Sequence, residues 1–277
     1  MITVDWERYL ENLETKIAEF KNLFVSYGEG DALCGVSLDI AELEHTAILG
    51  ANGSGKSTLI KLFSNDVYPR FRADSVKKVF GRDRWSVFEL KRLLGIVTND
   101  FHYYALHTAP QISCFELVVS SFYSSVGIFD SHEYDETMVE AARAAMERVG
   151  ILDLTDKPLC ETSTGQMRKT LIARALALNP KALLLDEPTV GLDIGAQIEF
   201  LDIVRDLAKE KTIILITHHI EEIFPEIQKV VLLDGGKIVS CGAKEDVITG
   251  GNLSKAFGVS IEVGIDNGRY YIKRLLG

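Results

Sequence analysis

A glycine-rich segment at residues 50–58, GANGSGKST, limits the possible folds of this chain more than any other stretch does. It matches the pattern G-x-x-x-x-G-K-[ST], which requires a strand before it and a helix after it. Residues 46–49 are an apolar run typical of a buried parallel strand, and a helical stretch is predicted from Ser57 onward. In this context the pattern predicts a phosphate-binding loop formed by Gly50, Ala51, Asn52, Gly53, Ser54, Gly55, Lys56, Ser57 and Thr58.

The residue types in this loop suit a polyphosphate ligand. Small residues let backbone N–H groups surround phosphate oxygens, and the N-terminus of the following helix adds partial positive charge. Lys56 is then expected to reach the β- and γ-phosphates, and Ser57 to supply a hydroxyl to Mg²⁺. An ordinary glycine turn before a helix is the alternative, and the strand and helix predicted on either side disfavour it.

The rest of the chain predicts an α/β fold. Residues 182–185, 212–217 and 230–233 are short apolar runs separated by helical stretches, an alternation that builds a parallel sheet with helices on both faces. Residues 24–27 and 36–40 predict an antiparallel strand pair near the start. Residues 100–160 carry helical patterns, one with apolar positions from Phe115 to Val126 and one over residues 135–149, and predict a helical insertion.

Both ends of the chain differ from this pattern. Residues 1–16 are predicted to be an extension with a short helix, and residues 251–277 are predicted to be a tail. Within the tail, Asn267 and Gly268 separate two alternating runs, which is a hairpin signal. The four cysteines stand far apart with no C-x-x-C pair, so neither a zinc site nor a disulfide framework is predicted.

Two carboxylates end the apolar strand at residues 182–185. Asp186 at the strand tip would hold Mg²⁺ directly or through water, and Glu187 would polarise an attacking water as a general base. An apolar run before two acids is also a common strand end without any function. Its position after a phosphate loop in an α/β pattern favours the catalytic interpretation.

A third pattern, S-x-x-Q, runs from Ser163 to Gln166. It predicts a capping box at the beginning of a helix whose apolar positions include Leu171 and Ile172. A serine hydroxyl and free N–H groups at a helix start also form an anion site. The structural role of this segment and a binding role are therefore compatible.

Three segments together resemble a known family. The segment TSTGQ at residues 162–166, the helix MRKTLIARAL that follows it and DEPTVGLD at residues 186–193 are similar to the signature, Walker B and D-loop series of ATP-binding cassette (ABC) ATPases. The resemblance spans about residues 17–250, with a helical subdomain at about residues 100–160. It implies a P-loop NTPase (RecA-like) core with an antiparallel β subdomain and a helical insertion.

The resemblance implies roles for two further residues. Tyr27 corresponds to the aromatic residue that stacks on adenine, and the alternative is a strand aromatic in the core. His218 corresponds to the switch histidine, which contacts the γ-phosphate. The alternative for His218 is a hydrogen-bonded surface residue at a strand end.

The sequence departs from the family pattern at two places. Asn99 stands where the family has a glutamine that contacts the metal, so it keeps the amide but is one methylene shorter. We expect its contact with Mg²⁺ to need a water bridge, or Asp100 to take its place. The signature has Thr162 and Thr164 where the common form has leucine and glycine, and we expect activity to be retained.

The resemblance also implies a partner chain. One chain contains one phosphate loop and one signature, and in this family these face each other only across a head-to-tail dimer with a second copy or a related ATPase subunit. Two ATP molecules would be enclosed, each held by residues 50–58 of one chain and by Ser163, Gly165 and Gln166 of the other. Asp193 would lie near the dimer seam, and a monomer should be nearly inert.

Such a dimer would hydrolyse ATP to power a separate integral membrane permease. Glu187 would orient water in line with the γ-phosphate while Lys56 and His218 stabilise the developing charge. The groove between the helical insertion and Asn99 would receive a helix from the permease. Aromatic residues either line this groove or are simply part of the core, namely Phe101, Tyr103, Tyr104, Phe122 and Tyr123.

Composition indicates where such a subunit would work. The chain has 30 Lys and Arg against 40 Asp and Glu, a formal charge of −10, which disfavours binding to nucleic acid through its phosphates. No run approaches the roughly 18 to 20 apolar residues of a spanning helix, and the start lacks the pattern of a signal peptide. We therefore expect a cytoplasmic protein that is peripheral on the inner face of the membrane through its permease.

Two other functions remain open at this point. The first is a soluble single-cassette ABC protein that acts in repair, translation or regulation without a permease, and the variant signature is similar to that of molybdate-linked repair proteins. A single cassette in which Ser163 follows Lys56 by only 107 positions favours transport. The second is a small-molecule P-loop kinase, which would leave the signature and His218 unexplained.

Overall fold

The computed structural model describes residues 16–28, 30–129 and 132–276, so the predicted extension at residues 1–16 lies outside it except for Lys16. The strands are β1 (Lys16–Tyr27), β2 (Gly30–Ala41), β3 (Thr46–Leu49), β4 (Val76–Val79), β5 (Leu94–Val97), β6 (Ala182–Asp186), β7 (Thr212–Thr217), β8 (Lys229–Asp234), β9 (Lys237–Ala243), β10 (Ser260–Asp266) and β11 (Arg269–Leu276). The α-helices are α1 (Lys56–Phe63), α2 (Val87–Leu93), α3 (Asn99–Thr108), α4 (Cys114–Val119), α5 (Glu136–Arg148), α6 (Thr164–Leu176), α7 (Ile194–Leu207), α8 (Lys244–Val247) and α9 (Gly250–Phe257). None of these described helices is both long and apolar enough to cross a membrane.

A six-stranded sheet lies at the centre, with the strand order β5-β6-β7-β3-β8-β9. Its first five strands run parallel and β9 runs antiparallel to β8. Alternate residues of β6 face two separate cores: Leu183 and Leu185 pack in one, and Ala182 and Leu184 in the other. Because both faces of the sheet are covered, its inner strands read as continuous apolar runs. The predicted α/β class and the strands at residues 182–185, 212–217 and 230–233 are confirmed.

A second sheet has the order β2-β1-β4 and covers one face of the central sheet. β1 pairs with β2 in antiparallel register, with Phe24 opposite Cys34, so the predicted strand pair is confirmed. Both strands are longer than predicted, since each contains twelve residues. Phe20 of β1 packs against Phe63 of α1 with 5.0 Å between ring centroids, which joins this sheet to the helix after the phosphate loop.

Helices α3, α4 and α5 lie between β5 and α6, where the helical insertion was predicted. The Asp135 carboxylate accepts a hydrogen bond from the Met138 N–H at 2.9 Å and caps α5, which confirms the helix predicted over residues 135–149. The helical pattern from Phe115 to Val126 is only partly right. α4 ends at Val119, and a 3₁₀ turn over Ser120–Tyr123 follows; this turn ends at Ser124, whose φ of 54° is left-handed.

The tail consists of α9 and the hairpin of β10 and β11, so α9 spans the predicted boundary at residue 250. Asn267 and Gly268 have φ values of 48° and 75°, the positive pair that a two-residue hairpin turn requires. The predicted hairpin is therefore confirmed. Ile261 and Tyr270 are buried in the same core as the helical insertion, so the hairpin packs against the rest of the chain.

Candidate active site

Four neighbouring strands end at the same edge of the central sheet. In spatial order these are β5, β6, β7 and β3, which lead into residues 98–100, residues 186–187, His218 and residues 50–58. In open α/β sheets the carboxyl ends of parallel strands are where ligands bind. Sheet order thus brings together four segments that are up to 168 residues apart in sequence, counted from Gly50 to His218.

The phosphate loop has the backbone shape that its sequence predicts. Gly53 and Gly55 have φ values of 81° and 108°, where a side chain would be strained. A Cβ on Gly50 would lie 2.5 Å from the Leu233 carbonyl oxygen, so only glycine fits there. The hydroxyl of Ser54 is buried without a hydrogen-bond partner among the described residues. An open backbone cradle at a helix N-terminus fits an anion of phosphate size.

Glu187 lies between the two other residues that were predicted to be catalytic. Its Oε1 is 2.9 Å from His218 Nδ1 and 3.6 Å from Lys56 Nζ. Lys56 Nζ also donates hydrogen bonds to the carbonyls of Gly50 at 2.8 Å and Ala51 at 3.1 Å. The structure thus places the predicted base, the switch histidine and the loop lysine in direct contact. Their catalytic roles stay predictions.

Asp186 lies beside this cluster in a low-dielectric setting. Burial raises the pKa of Asp186 to about 6, and the charge of Glu187 adds to the rise while Lys56 opposes it. Ser57, Asp100 and Asp186 line one cavity of about 660 Å³. A hydroxyl and a desolvated carboxylate that share a cavity fit Mg²⁺. Among the described residues no group of three or more His, Cys, Asp or Glu side chains could hold a metal, so phosphate and water would supply further ligands.

Asn99 is the first residue of α3, after the cap residue Thr98. Its Nδ2 donates to the Glu187 carbonyl oxygen at 3.4 Å, which places it at the site. Its Oδ1 accepts a hydrogen bond from Arg168 Nη2. The oxygen that was predicted to contact Mg²⁺ therefore already has a cationic partner, and Asp100, which lines the cavity with Asp186, remains the alternative ligand.

The signature residues form a separate group at the start of α6. The Ser163 hydroxyl accepts from the Gln166 N–H at 3.2 Å, and Gln166 Oε1 accepts from the Ser163 N–H at 3.1 Å, which confirms the capping box. Asp193 caps α7 through the Ala196 N–H at 2.9 Å, and a Cβ on Gly165 would lie 3.5 Å from the Ala196 Cβ. Within the described residues, no hydrogen bond or ion pair connects this group to the phosphate loop.

Tyr27 is the last residue of β1 and is 50% exposed, so it is not the core aromatic of the alternative interpretation. Lys61 Nζ lies 5.7 Å from the centroid of its ring. Lys61 belongs to α1, the helix that follows the phosphate loop. An exposed ring beside that helix is compatible with the predicted adenine contact.

Two buried charged residues at this site were not predicted. Arg168 is 2% exposed and Glu222 is 4% exposed. Burial raises the pKa of Glu222, whereas its hydrogen bond with the Thr189 hydroxyl opposes the rise. Arg168 lies three residues before Leu171 and four before Ile172, so it lies on the same apolar face of α6 as these two residues. This helical spacing could have indicated from the sequence that Arg168 is buried.

Comparison with known proteins identifies the family of this chain. The sequence profile of the family described as ABC transporter matches residues 33–190. The chain is 30% identical over 239 residues to the uncharacterised ABC transporter ATP-binding protein YlmA of Bacillus subtilis, a match that covers 85% of this chain and 88% of YlmA. It is 32% identical over 256 residues to the energy-coupling factor transporter ATP-binding protein EcfA2 of Streptococcus agalactiae, which covers 87% of each protein. The solved structure of CbiO1 from Clostridium perfringens, part of the ABC transporter complex CbiONQ, has a TM-score of 0.72 at 29% identity and covers 87% of this chain and 94% of CbiO1.

The chain therefore belongs to the ABC transporter family. It is an ATP-binding subunit of an ABC transporter and an ATPase, as the resemblance implied. The relatives named above are described as transporter ATP-binding proteins or as part of an ABC transporter complex, so they give no support to a soluble protein of repair, translation or regulation.

Proposed function

We propose that two copies of this chain enclose two ATP molecules in a head-to-tail dimer. One observation carries this proposal: the phosphate loop, Lys56, Glu187 and His218 form one group, whereas the exposed, capped first turn of α6 makes no hydrogen bond or ion pair with that group among the described residues. Ser163 and Thr164 are exposed, so the first turn of α6 is open to a ligand of a partner. Each chain supplies one half of two different pockets.

The phosphate side of each pocket would carry out the hydrolysis. Glu187 would accept a proton from the attacking water, and Lys56 and His218 would stabilise the charge that develops on the phosphoryl group. The contact of 2.9 Å between Glu187 Oε1 and His218 Nδ1 supports this division of roles, because it orients the carboxylate. Ser57 and Asp186 would hold Mg²⁺, which neutralises phosphate charge when it is bound.

The signature side would bind the same ATP from the partner. Ser163 and Gly165 would present a hydroxyl and backbone N–H groups at the start of α6, where the helix dipole favours an anion. Gln166 bonds within its own capping box and to Lys157 Nζ at 3.0 Å, so its part is to hold the turn in shape. Tyr27 would stack on the adenine ring, and Asp193 would lie at the seam.

The groove beside Asn99 would receive a cytoplasmic helix of a separate membrane permease. Phe101 and Tyr104 line the cavity of about 660 Å³, and Tyr104 is 57% exposed. The other three aromatic residues predicted for the groove have different surroundings. Tyr103 is 62% exposed, Phe122 packs against the core, and Tyr123 stacks on His132. Aromatic residues at a groove suit an apolar helix face. The subunit would then be peripheral on the inner face of the membrane.

A complementation assay tests the dimer. Lys56→Ala disables the phosphate side, and Gly165→Asp places a negative charge on the signature side, where a Cβ would make ordinary contact with the Ala196 Cβ at 3.5 Å. Each variant alone should be inactive. Mixed in equal amounts, half of the dimers contain one of each chain and one intact site, so about a quarter of the parent activity should return. No recovery by folded variants would contradict the head-to-tail arrangement.

A further inference from the structure

Four hydrogen bonds close a ring behind the candidate general base. Asn99 Nδ2 donates to the Glu187 carbonyl at 3.4 Å, and Asn99 Oδ1 accepts from Arg168 Nη2. Arg168 Nη2 also donates to the Val190 carbonyl at 3.4 Å, and the Val190 N–H donates to the Glu187 carbonyl at 3.3 Å. The ring joins α3, α6 and the segment after β6 at a single carbonyl group.

Glu187 needs such support because its own backbone is strained. Its φ is 45°, a left-handed value that is uncommon for a residue other than glycine. Strained residues persist only where the surrounding structure holds them in place. On one side the Glu187 N–H donates to the Ile216 carbonyl of β7 at 2.8 Å. On the other side the ring holds the Glu187 carbonyl, so both peptide units that flank the Glu187 Cα are fixed.

Arg168 is an unusual residue for this position. It is 2% exposed, and its Nε and Nη1 have no hydrogen-bond partner among the described residues. A buried guanidinium with unsatisfied donors opposes folding, and a well-packed apolar residue would serve the core better. The hydrogen bonds of Arg168 Nη2 to Asn99 and Val190 are therefore the interactions that an arginine makes here and an apolar residue could not make.

We propose that Arg168 is a positioning residue for Glu187. Its guanidinium fixes the Asn99 amide and the Val190 carbonyl, these fix the strained backbone of Glu187, and that backbone aims the carboxylate at His218. Arg168 does not contact the reacting atoms. The inference rests on the proposed function because it assumes that Glu187 acts on water, and it gives Asn99 a role that does not depend on Mg²⁺.

Arg168→Met tests the proposal, since methionine keeps an unbranched apolar stem but has no donor. We expect kcat for ATP hydrolysis to fall by roughly 10- to 100-fold, as expected for a misplaced catalytic group. KM and the dissociation constant for ATP should stay within about twofold, because the phosphate loop is untouched. Lys169→Met is the matched control: it removes the next cation of α6, whose partner Glu199 lies on the surface, and kcat should not change.

Three further variants separate positioning from other roles. Arg168→Lys keeps the charge but not the planar fork, so it should show the same loss of kcat, and full activity would overturn the proposal. Asn99→Ala opens the ring from its other side, and in the double variant with Arg168→Met the two losses should not multiply. The Mg²⁺ concentration for half-maximal activity should stay unchanged in both, whereas a metal role of Asn99 would raise it and overturn the proposal.

The outcomes also distinguish this proposal from the proposed function. Glu187→Gln is the reference: if it hydrolyses ATP at the parent rate, the general-base role fails. If Glu187→Gln is inactive while Arg168→Met has the parent kcat, only the positioning role fails. Should Arg168→Met not fold by circular dichroism, Arg168→Lys and Asn99→Ala decide the question through the same kcat and Mg²⁺ measurements.

Discussion

Two neighbouring tyrosines on β11 allow a direct test of whether the tail belongs to the domain core. Tyr270 is 3% exposed and packs in the core, whereas Tyr271 is 41% exposed on the opposite face of the hairpin. Truncation of a buried aromatic residue to alanine costs about 3–5 kcal/mol. We expect the lower end, about 3 kcal/mol, for Tyr270→Ala because a two-stranded hairpin can relax towards the cavity.

This loss corresponds to a large change in thermal stability. A change of 1 kcal/mol shifts Tm by about 2–4 °C in a domain of this size class, so Tyr270→Ala should lower Tm by roughly 6–12 °C. Tyr271→Ala is the control, because it removes a ring that is 41% exposed and packs over Gly264, and it should cost less than Tyr270→Ala, about 1 kcal/mol. Calorimetric melting of both variants without nucleotide measures the difference. If both variants have the Tm of the parent, the hairpin does not share the core and the reasoning is wrong.

Three other substitutions test the phosphate side of the site and the buried carboxylate near it. Lys56→Ala should weaken ATP binding roughly 10- to 100-fold in isothermal titration calorimetry and abolish turnover, because it removes a charged donor from the phosphates. Glu187→Gln should keep ATP binding, lose roughly 100-fold or more in turnover and elute as an ATP-bound dimer in size-exclusion chromatography. Burial raises the pKa of the Glu222 carboxyl in the folded state, so protonation of Glu222 stabilises the fold. This stabilisation is fully present below the usual pKa of a glutamate and is lost as the pH rises through the raised pKa. Glu222→Gln should lack that loss, so the free energy of unfolding of the variant should increase relative to that of the parent as the pH rises. Urea unfolding of both proteins at acidic and at mildly alkaline pH measures this. A difference in unfolding free energy that does not change with pH would contradict it.

Local patterns predicted most of the central sheet and the phosphate loop. The strand at residues 182–185 could be found because both faces are buried, which leaves a continuous apolar run in the sequence. The turn at Asn267 and Gly268 could be found because few other pairs tolerate two positive φ values. Where one physical requirement dominates a short segment, sequence alone identifies the structure.

Other features depend on partners that are distant in the sequence. The end of α4 at Val119 follows from the packing of the next turn, in which the buried Arg174 donates to the carbonyl of Leu117 and to the Ser120 hydroxyl at 2.7 Å. The helical position of Arg168 indicates that it faces inward, but it does not indicate which residues Arg168 contacts. Its acceptors, Asn99 and Val190, lie 69 and 22 residues away. No local pattern indicates such a contact.

The ring around Glu187 also explains how a shorter amide can work at residue 99. An asparagine reaches one methylene less far than the glutamine of the family pattern, so a direct contact with a metal deeper in the site is harder for it. Its Nδ2 still reaches the Glu187 carbonyl at 3.4 Å, and the long side chain of Arg168 meets its Oδ1 from the other side. The two residues therefore act as one unit: Arg168 without Asn99 would have no amide to hold, and Asn99 without Arg168 would be free to turn away. Substitution of both should then affect turnover no more than substitution of either one.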